Sequence, residues 1–595
     1  MKTKMNYIGK LGILFLMFAS SAFSQNITNT LGTNGVFTIK DASTTYFTLS
    51  QSTGNVNILR SLGLVNTTSS SLGIIFKGPD RFLHNYGTNN TFLGINSGNF
   101  TMTGVQNTAI GTSSLSSNTT GNYNTTLGFQ SLRSNTTGFS NTALGYASLG
   151  NNTTGSSNTA VGLQTLSSNT TGNSNTGVGL QSLSSNTTGS NNTAVGWNSL
   201  FANTTGYENT AVGLSSLFAN TTGFNNTALG YYSLFSNTTG INNTAVGLSS
   251  LSSNTTGYNS TAVGWKTLYS NIDGHDNIAL GMNSLYSNTN GYDNTALGIS
   301  SLLSNTSGYG NITVGLNSLY SNTTGFENTA VGLYSLFSNT YGHANIAVGG
   351  TSLSSNITGF FNTGVGFKSL QYNTDGLQNT ALGCFSGNLI TTGQNLTCIG
   401  YNSQPNSISA TNQITLGNNF VTSLRCNVQV ISGLSDARDK KNIIDLSLGL
   451  DFLMKVKPRL FNWDKREWYE NNISDGSKMK EAPTAGFIAQ ELDEVQTNEN
   501  AEWLNLVLKD NPEKFEATYG NLLPVMVKAI QELKEENDLL KKSNENLLSE
   551  VESFKSLNEK VISLEKKLNE LNSLKHTSFV ENKVNRINSK EGDVK

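Results

Sequence analysis

Ser435 and Lys440 stand five residues apart in the run Ser435-Asp436-Ala437-Arg438-Asp439-Lys440. A serine hydroxyl is a poor nucleophile until a base takes its proton. A lysine amine serves as that base when burial or neighbouring positive charge pushes its pKa toward neutral. Arg438 and Lys441 offer such charge, whereas Asp436 and Asp439 oppose it. On an α-helix, residues five apart point roughly 140° away from one another. Ser435 and Lys440 therefore meet only across a turn or extended loop, or when the lysine comes from another subunit. The plainer reading has Ser435 or Asp436 capping a short helix with charged residues in its first turn. Spacing alone leaves both open.

These six residues sit at a break in composition. Upstream run some four hundred almost uncharged residues rich in Gly, Asn, Thr and Ser, and about three quarters of the Lys, Arg, Asp and Glu follow Ser435. Such a break marks a domain boundary. A chain of 595 residues has room for about four ordinary domains, and its net charge of -2 argues against nucleic acid as a partner.

Residues 1–24 read as a secretory signal, which predicts a secreted or cell-surface protein. Lys2, Lys4 and Lys10 precede the apolar run Leu11 to Phe18, and Ala22-Phe23-Ser24 places small residues where a signal peptidase reads. That run is too short to span a bilayer and no later stretch is long and apolar enough, so no membrane span is expected. Residues 25–89 alternate apolar and polar in short pieces such as Val36-Phe37-Thr38-Ile39-Lys40, a pattern of strands forming a small N-terminal β cap.

From Asn90 a pattern recurs every 17 residues through Asn107, Asn124 and onward to Asn379, eighteen starts with only Ser260 departing from Asn. One unit, Asn192 to Glu208, reads NTAVGWNSLFANTTGYE. Segments this short, broken twice by Gly and Asn, cannot be helices. They predict two short strands joined by two turns, stacked coil on coil over residues 90–400. At roughly 4.8 Å per stacked strand, eighteen coils make a shaft on the order of 85 Å. Each unit offers about three firmly apolar side chains, here Ala194, Val195 and Leu200, which points to three chains sharing one core. Residues 401–434 leave the strict period but still alternate, as a β neck.

Two columns of the repeat vary toward aromatics. One includes Phe201, Phe218 and Phe235, the other Tyr207, Phe224 and Tyr258, with His275 and His343 in register. They read either as platforms for a surface glycan or as ladders that tie neighbouring coils together. The Asn-Thr-Thr triplets match glycosylation acceptors formally, but in this recurring place they are turn residues whose side chains bond the local backbone. Four scattered histidines give no metal-ligand spacing, so neither a metal nor another cofactor is expected. The three cysteines, Cys384, Cys398 and Cys426, are too few for a disulfide scaffold; Cys384 and Cys398 either bridge adjacent coils or lie buried as small hydrophobes.

The repeat, with its N-x-A-[IVL]-G core, resembles the β-roll heads of trimeric autotransporter adhesins. Its period is longer and the family's membrane-anchor barrel is absent, so adhesin function does not follow from the resemblance.

Residues from Ser435 to about Leu540 resemble the intramolecular chaperone domain of phage endosialidase tailspikes and other tail fibres. Three stretches carry the resemblance in order. They are Ser435 to Ile443 with Leu450-Asp451-Phe452-Leu453 and Lys457 to Trp463; Ala485-Gly486-Phe487-Ile488-Ala489-Gln490-Glu491-Leu492; and Tyr519-Gly520-Asn521-Leu522-Leu523-Pro524-Val525. The resemblance implies a self-cleaving serine peptidase acting once on its own chain, with Ser435 as nucleophile and Lys440 as base. It places the cut beside the serine, at Leu434-Ser435, and carries Asp436, Arg438, Gly486, Phe487, Ala489, Gln490, Glu491 and Tyr519 over as motif residues. It also implies that the domain brings three chains into register and is then released.

A coiled coil follows the chaperone and autoprotease domain of residues 435–524. Ile530, Leu533, Asn537, Leu540, Asn544, Leu547, Val551 and Phe554 keep the three-four spacing of a coiled coil across residues 525–575. After a slip through Leu557 the seam resumes at Val561, Leu564, Leu568 and Leu571, a stammer that overwinds the supercoil locally. Residues 576–595 are polar and expected to be disordered. The expected fold is therefore mainly β: a trimeric β-roll or β-solenoid shaft, an α+β chaperone domain and a trimeric coiled coil. The expected function is a homotrimeric, tail-fibre-like or adhesin-like secreted fibre that chaperones and trims itself. The alternative is a structural or glycan-binding surface fibre that keeps its tail as a permanent trimeriser.

Overall fold

The computed structural model describes residues 36–40, 43, 45–50, 56–58, 62–421, 423–425, 435–509 and 511–569. The signal segment 1–24, Cys426, Leu434, Leu571 and the tail 576–595 lie outside the described residues. The chain is mainly β, with a long β-solenoid of about 19 turns and a few helices. It divides into two compact units, one up to Thr313 and one from Val314.

In the first unit, strands Val36–Lys40, Thr45–Ser50 and Val56–Ile58 form an antiparallel meander. A hairpin, Ile75–Lys77 with Asp80–His84, then pairs antiparallel with Thr91–Leu93. It covers the open edge of the first coil, which would otherwise invite another strand. Each later coil contributes one three-residue strand that pairs in parallel with the strand 17 residues on, such as Thr193↔Thr210, Ala194↔Ala211 and Val195↔Val212. Along every such strand the middle residue points inward and its neighbours outward, as period-two alternation requires.

The expected second strand of each coil is absent. Asn198 and Leu200 sit at φ 56° and 51°, so this half of the unit turns tightly where a strand would extend. Its amides still reach the next coil, Leu200 N–H donating to the Ser216 carbonyl at 3.0 Å and Ala202 N–H to Phe218 at 2.9 Å. Gly196, at φ 136°, lies directly against Gly213; a Cβ there would stand 2.4 Å from the Gly213 oxygen. Only glycine fits that approach.

The coil interior also differs from expectation. Ala194 and Leu200 are fully buried, but Val195 faces outward and is only half-buried. Asn192, Ser199 and Asn203 complete the interior with no exposure at all. Asn203 Nδ2 donates to Asn186 Oδ1 at 2.7 Å and to the Gly206 carbonyl at 2.9 Å. Asn192 Nδ2 donates to the same Gly206 carbonyl at 2.8 Å, and the Asn192 backbone N–H donates to Asn175 Oδ1 at 3.0 Å. Each coil thus closes its core within one chain, using hydrogen-bonded amides where a count of apolar residues finds a deficit. That count therefore gives no ground for a core shared among three chains.

In the second unit the same stacking runs from Thr329–Val331 through Gln394–Ile399 to Thr411–Leu416, past the last strict repeat. A small α+β domain follows, with a core that includes Phe452, Leu492, Leu506, Leu522 and Val525. Helix Leu523–Asn569 continues unbroken for 47 residues. Ile530, Leu533, Leu540 and Leu547, which the sequence places on an expected seam, are all half exposed or more.

Candidate functional site

Asp436 caps a 3₁₀ turn, Ala437–Asp439, its Oδ1 accepting the Arg438 backbone N–H at 2.8 Å. The turn closes with Lys440 N–H donating to the Ala437 carbonyl at 3.2 Å, and Lys440 leaves it in extended conformation. This reversal carries the Lys440 ammonium back onto Ser435, where it donates a hydrogen bond to the serine hydroxyl. Both readings of the spacing are realised at once: Asp436 is a cap, and the serine and lysine meet within one chain. The Arg438 guanidinium pairs with both Asp436 oxygens, its Nε 3.0 Å from each. This pairing holds the Asp436 carboxyl below its usual range and raises the Arg438 pKa. Its charge is thus matched by Asp436. The whole segment from Ser435 through Ile444 is exposed, Ile443 and Ile444 included.

The remaining motif residues gather elsewhere. Strand Arg459–Phe461 pairs antiparallel with Thr484–Gly486, setting Arg459 opposite Gly486. A Cβ on Gly486 would meet Tyr519 Oη at 3.1 Å and the Phe461 ring at 3.3 Å, so the glycine lets three segments close on one another. Phe487 and Tyr519 stack edge to face at 5.3 Å, and the Tyr519 hydroxyl bridges the Phe487 N–H and carbonyl at 3.4 and 3.3 Å. Glu491, in the first turn of helix Ala489–Asn498, accepts two hydrogen bonds from Arg459 at 2.9 and 2.6 Å. That pair lowers the Glu491 carboxyl pKa and raises the Arg459 pKa. Ala489 packs against the domain core, and Gln490 lines a cleft of about 1250 Å³ with Phe461, Trp463, Phe487 and Tyr519. Ser435 and Lys440 do not line this cleft. The structure thus brings Arg459, Gly486, Phe487, Glu491 and Tyr519 together in one place, and Ser435, Asp436, Arg438 and Lys440 in another.

Among the described residues no cluster of His, Cys, Asp or Glu is placed to hold a metal ion, and no helix is long and apolar enough to cross a membrane. Cys384 and Cys398 are free thiols. Cys398 occupies an inward strand position, and burial pushes its thiol up to about 11.

Both aromatic columns stack along the solenoid. Phe201, Phe218 and Phe235 lie 5.2 and 5.1 Å apart and within 10° of parallel. Tyr258, His275, Tyr292 and Tyr309 follow at 4.6, 5.1 and 5.0 Å. Ring faces here meet other rings, which leaves edges toward solvent. A third column escaped the sequence reading: the residue after the strand glycine is exposed in most coils, as at Phe129, Tyr146, Trp197, Tyr231, Trp265 and Phe367. Its signal was in the repeat, as a position that is apolar in eleven successive coils from Phe129 to Ile299.

Residues 435–500 match a peptidase family described as the chaperone of endosialidase. No curated protein and no solved structure matches the chain.

Proposed function

We propose that this chain is a secreted homotrimeric fibre whose C-terminal domain aligns three chains and then cuts itself off between Leu434 and Ser435. The observation that carries the reading is the Lys440–Ser435 hydrogen bond inside the segment that matches the chaperone family. In the cut, the Lys440 amine takes the Ser435 hydroxyl proton and the oxygen adds to the Leu434 carbonyl carbon. The peptide C–N bond breaks, the Ser435 amine leaves with a proton, and Leu434 remains as an ester on Ser435 Oγ. Water hydrolyses the ester, which restores the hydroxyl and leaves a new carboxylate on Leu434.

A base of this kind works in a sheltered, cationic setting. The exposed Ile443 and Ile444 beside the dyad, and the exposed helix seam, are surfaces that assembly would cover. Cutting is therefore tied to the trimer, so that chains are released only after they are aligned. One observation favours the rival, a tail kept as a permanent trimeriser: Asp436 already pairs with Arg438, one of the two cations that the sequence offers the dyad. A glycan-binding role for the aromatic columns is weaker, because stacked neighbours occupy the ring faces.

The test compares residues 25–595 with Lys440→Met and with a Leu533→Asp, Leu540→Asp pair, by light scattering and denaturing gels. The parent should be trimeric and cut, Lys440→Met trimeric and whole, and the seam variant neither trimeric nor cut. A seam variant that still trimerises and cuts would overturn the link between assembly and cleavage.

A further inference from the structure

We propose that the strand face of the solenoid, with the residue after each strand glycine, is the surface on which copies of this chain pack, parallel and coil against coil. In every coil the third strand residue is Val, Leu or Ile and points outward. From Phe129 to Ile299 in the first unit, eleven successive coils carry an apolar residue after the glycine. Trp197 is 52% exposed and Trp265 48%, although a soluble monomer has no use for a row of such side chains. Neither column holds a charged residue in any coil. Four of the six acids in residues 90–400, Glu208, Asp276, Asp293 and Glu327, stand just before the Asn that opens each unit, and the other two, Asp273 and Asp375, precede the turn glycines Gly274 and Gly376. Lys266 and Lys368 stand beside the face with their ammonium groups 5.6 and 5.4 Å from the Trp265 and Phe367 ring centres, as rim residues do.

The periodicity says what covers it. Stacked strands rise about 4.8 Å per coil. A surface matching eleven coils in phase must share that rise, and a second copy of this chain does so by construction. Eleven coils, each presenting about four extended residues, offer roughly 700 Å² in the first unit alone, close to the ~800 Å² per partner of a stable specific interface. The face also carries information that the interior lacks. Ala, Leu and Asn repeat almost unchanged inside and are closed off within each chain, so the interior cannot tell one register of two copies from another. The outer column changes from Leu180 to Trp197 to Leu214 to Tyr231, so a slipped pair meets different side chains.

This inference rests on the proposed trimer, and its test separates the two. The full chain carrying Ser435→Ala, Cys384→Ser, Cys398→Ala and Cys426→Ser keeps its tail and leaves no native thiol. Leu248→Cys is then placed on the face, and separately Thr239→Cys at the exposed residue of the turn from Asn237 to Gly240. Oxidation or a short bis-maleimide followed by denaturing gels should link Leu248→Cys into covalent dimers and leave Thr239→Cys monomeric. A trimer by light scattering in which Leu248→Cys stays unlinked, or both positions link equally, overturns this face while the trimer stands. A monomer by light scattering overturns both.

Discussion

Lys440 reaches Ser435 because a single 3₁₀ turn lies between them, and Asp436 holds that turn. Asp436→Ala should therefore loosen the turn and slow the cut, whereas Asp436→Asn keeps the cap; the fraction of chain cut over time separates them. At the other end of the chain, His84 is buried against Phe92 and Phe100, with Nε2 2.8 Å from the Ser97 carbonyl. Burial lowers its pKa, Arg81 adds to the lowering, and the Ser97 contact opposes it. A fold that holds His84 neutral keeps its full stability above the unfolded value of about 6.5 and loses it as pH falls below that. The protection factors for hydrogen exchange at Phe92 to Gly98, which are corrected for the intrinsic pH dependence of exchange, should therefore fall between about pH 7 and pH 5 in the parent, and less in His84→Phe. Equal acid response in both would remove His84 as the cause.

At the scale of the coil, stability rests on the asparagine ladders. Asn203→Ala removes a donor and orphans the Asn186 side-chain oxygen, the Gly206 carbonyl keeping its bond from Asn192, so it should cost about 1–3 kcal/mol, while exposed Thr205→Ala should stay within about 0.5 kcal/mol. Thermal melts of the two variants check this. The repeat, its 17-residue step and its stacking were legible from sequence because Gly and Asn recur at fixed places. The single strand per coil was not, since nothing in Asn-Ser-Leu announces left-handed backbone at Asn198 and Leu200. The polar interior was missed for a related reason: composition marks Asn as a turn residue and does not say which way its amide points. In the C-terminal domain the motif residues were legible, but not their division between the turn of Ser435 and the cleft of Tyr519. Gly486→Ala should cost about 1–3 kcal/mol there by overpacking against Tyr519 and Phe461, read as a lower melting point of that domain.

For the whole molecule, the proposed fibre faces a register problem at the surfaces where its chains would meet, because coils 17 residues apart present the same backbone. In the proposed assembly the heptad pattern of the last helix and the variable apolar columns of the coils would both bear on it, the first by starting chains together and the second by penalising slips. Removal of the clamp afterwards would leave a fibre held by its own kinetic stability. The most direct measurement of this account is the intact mass, under denaturing conditions, of purified residues 25–595 after assembly. The account predicts two masses that add to the parent plus one water, the smaller beginning at Ser435, and a single undivided mass from Ser435→Ala. A single full-length mass from parent protein that sediments as a trimer would contradict self-cleavage and leave the tail as a permanent clamp.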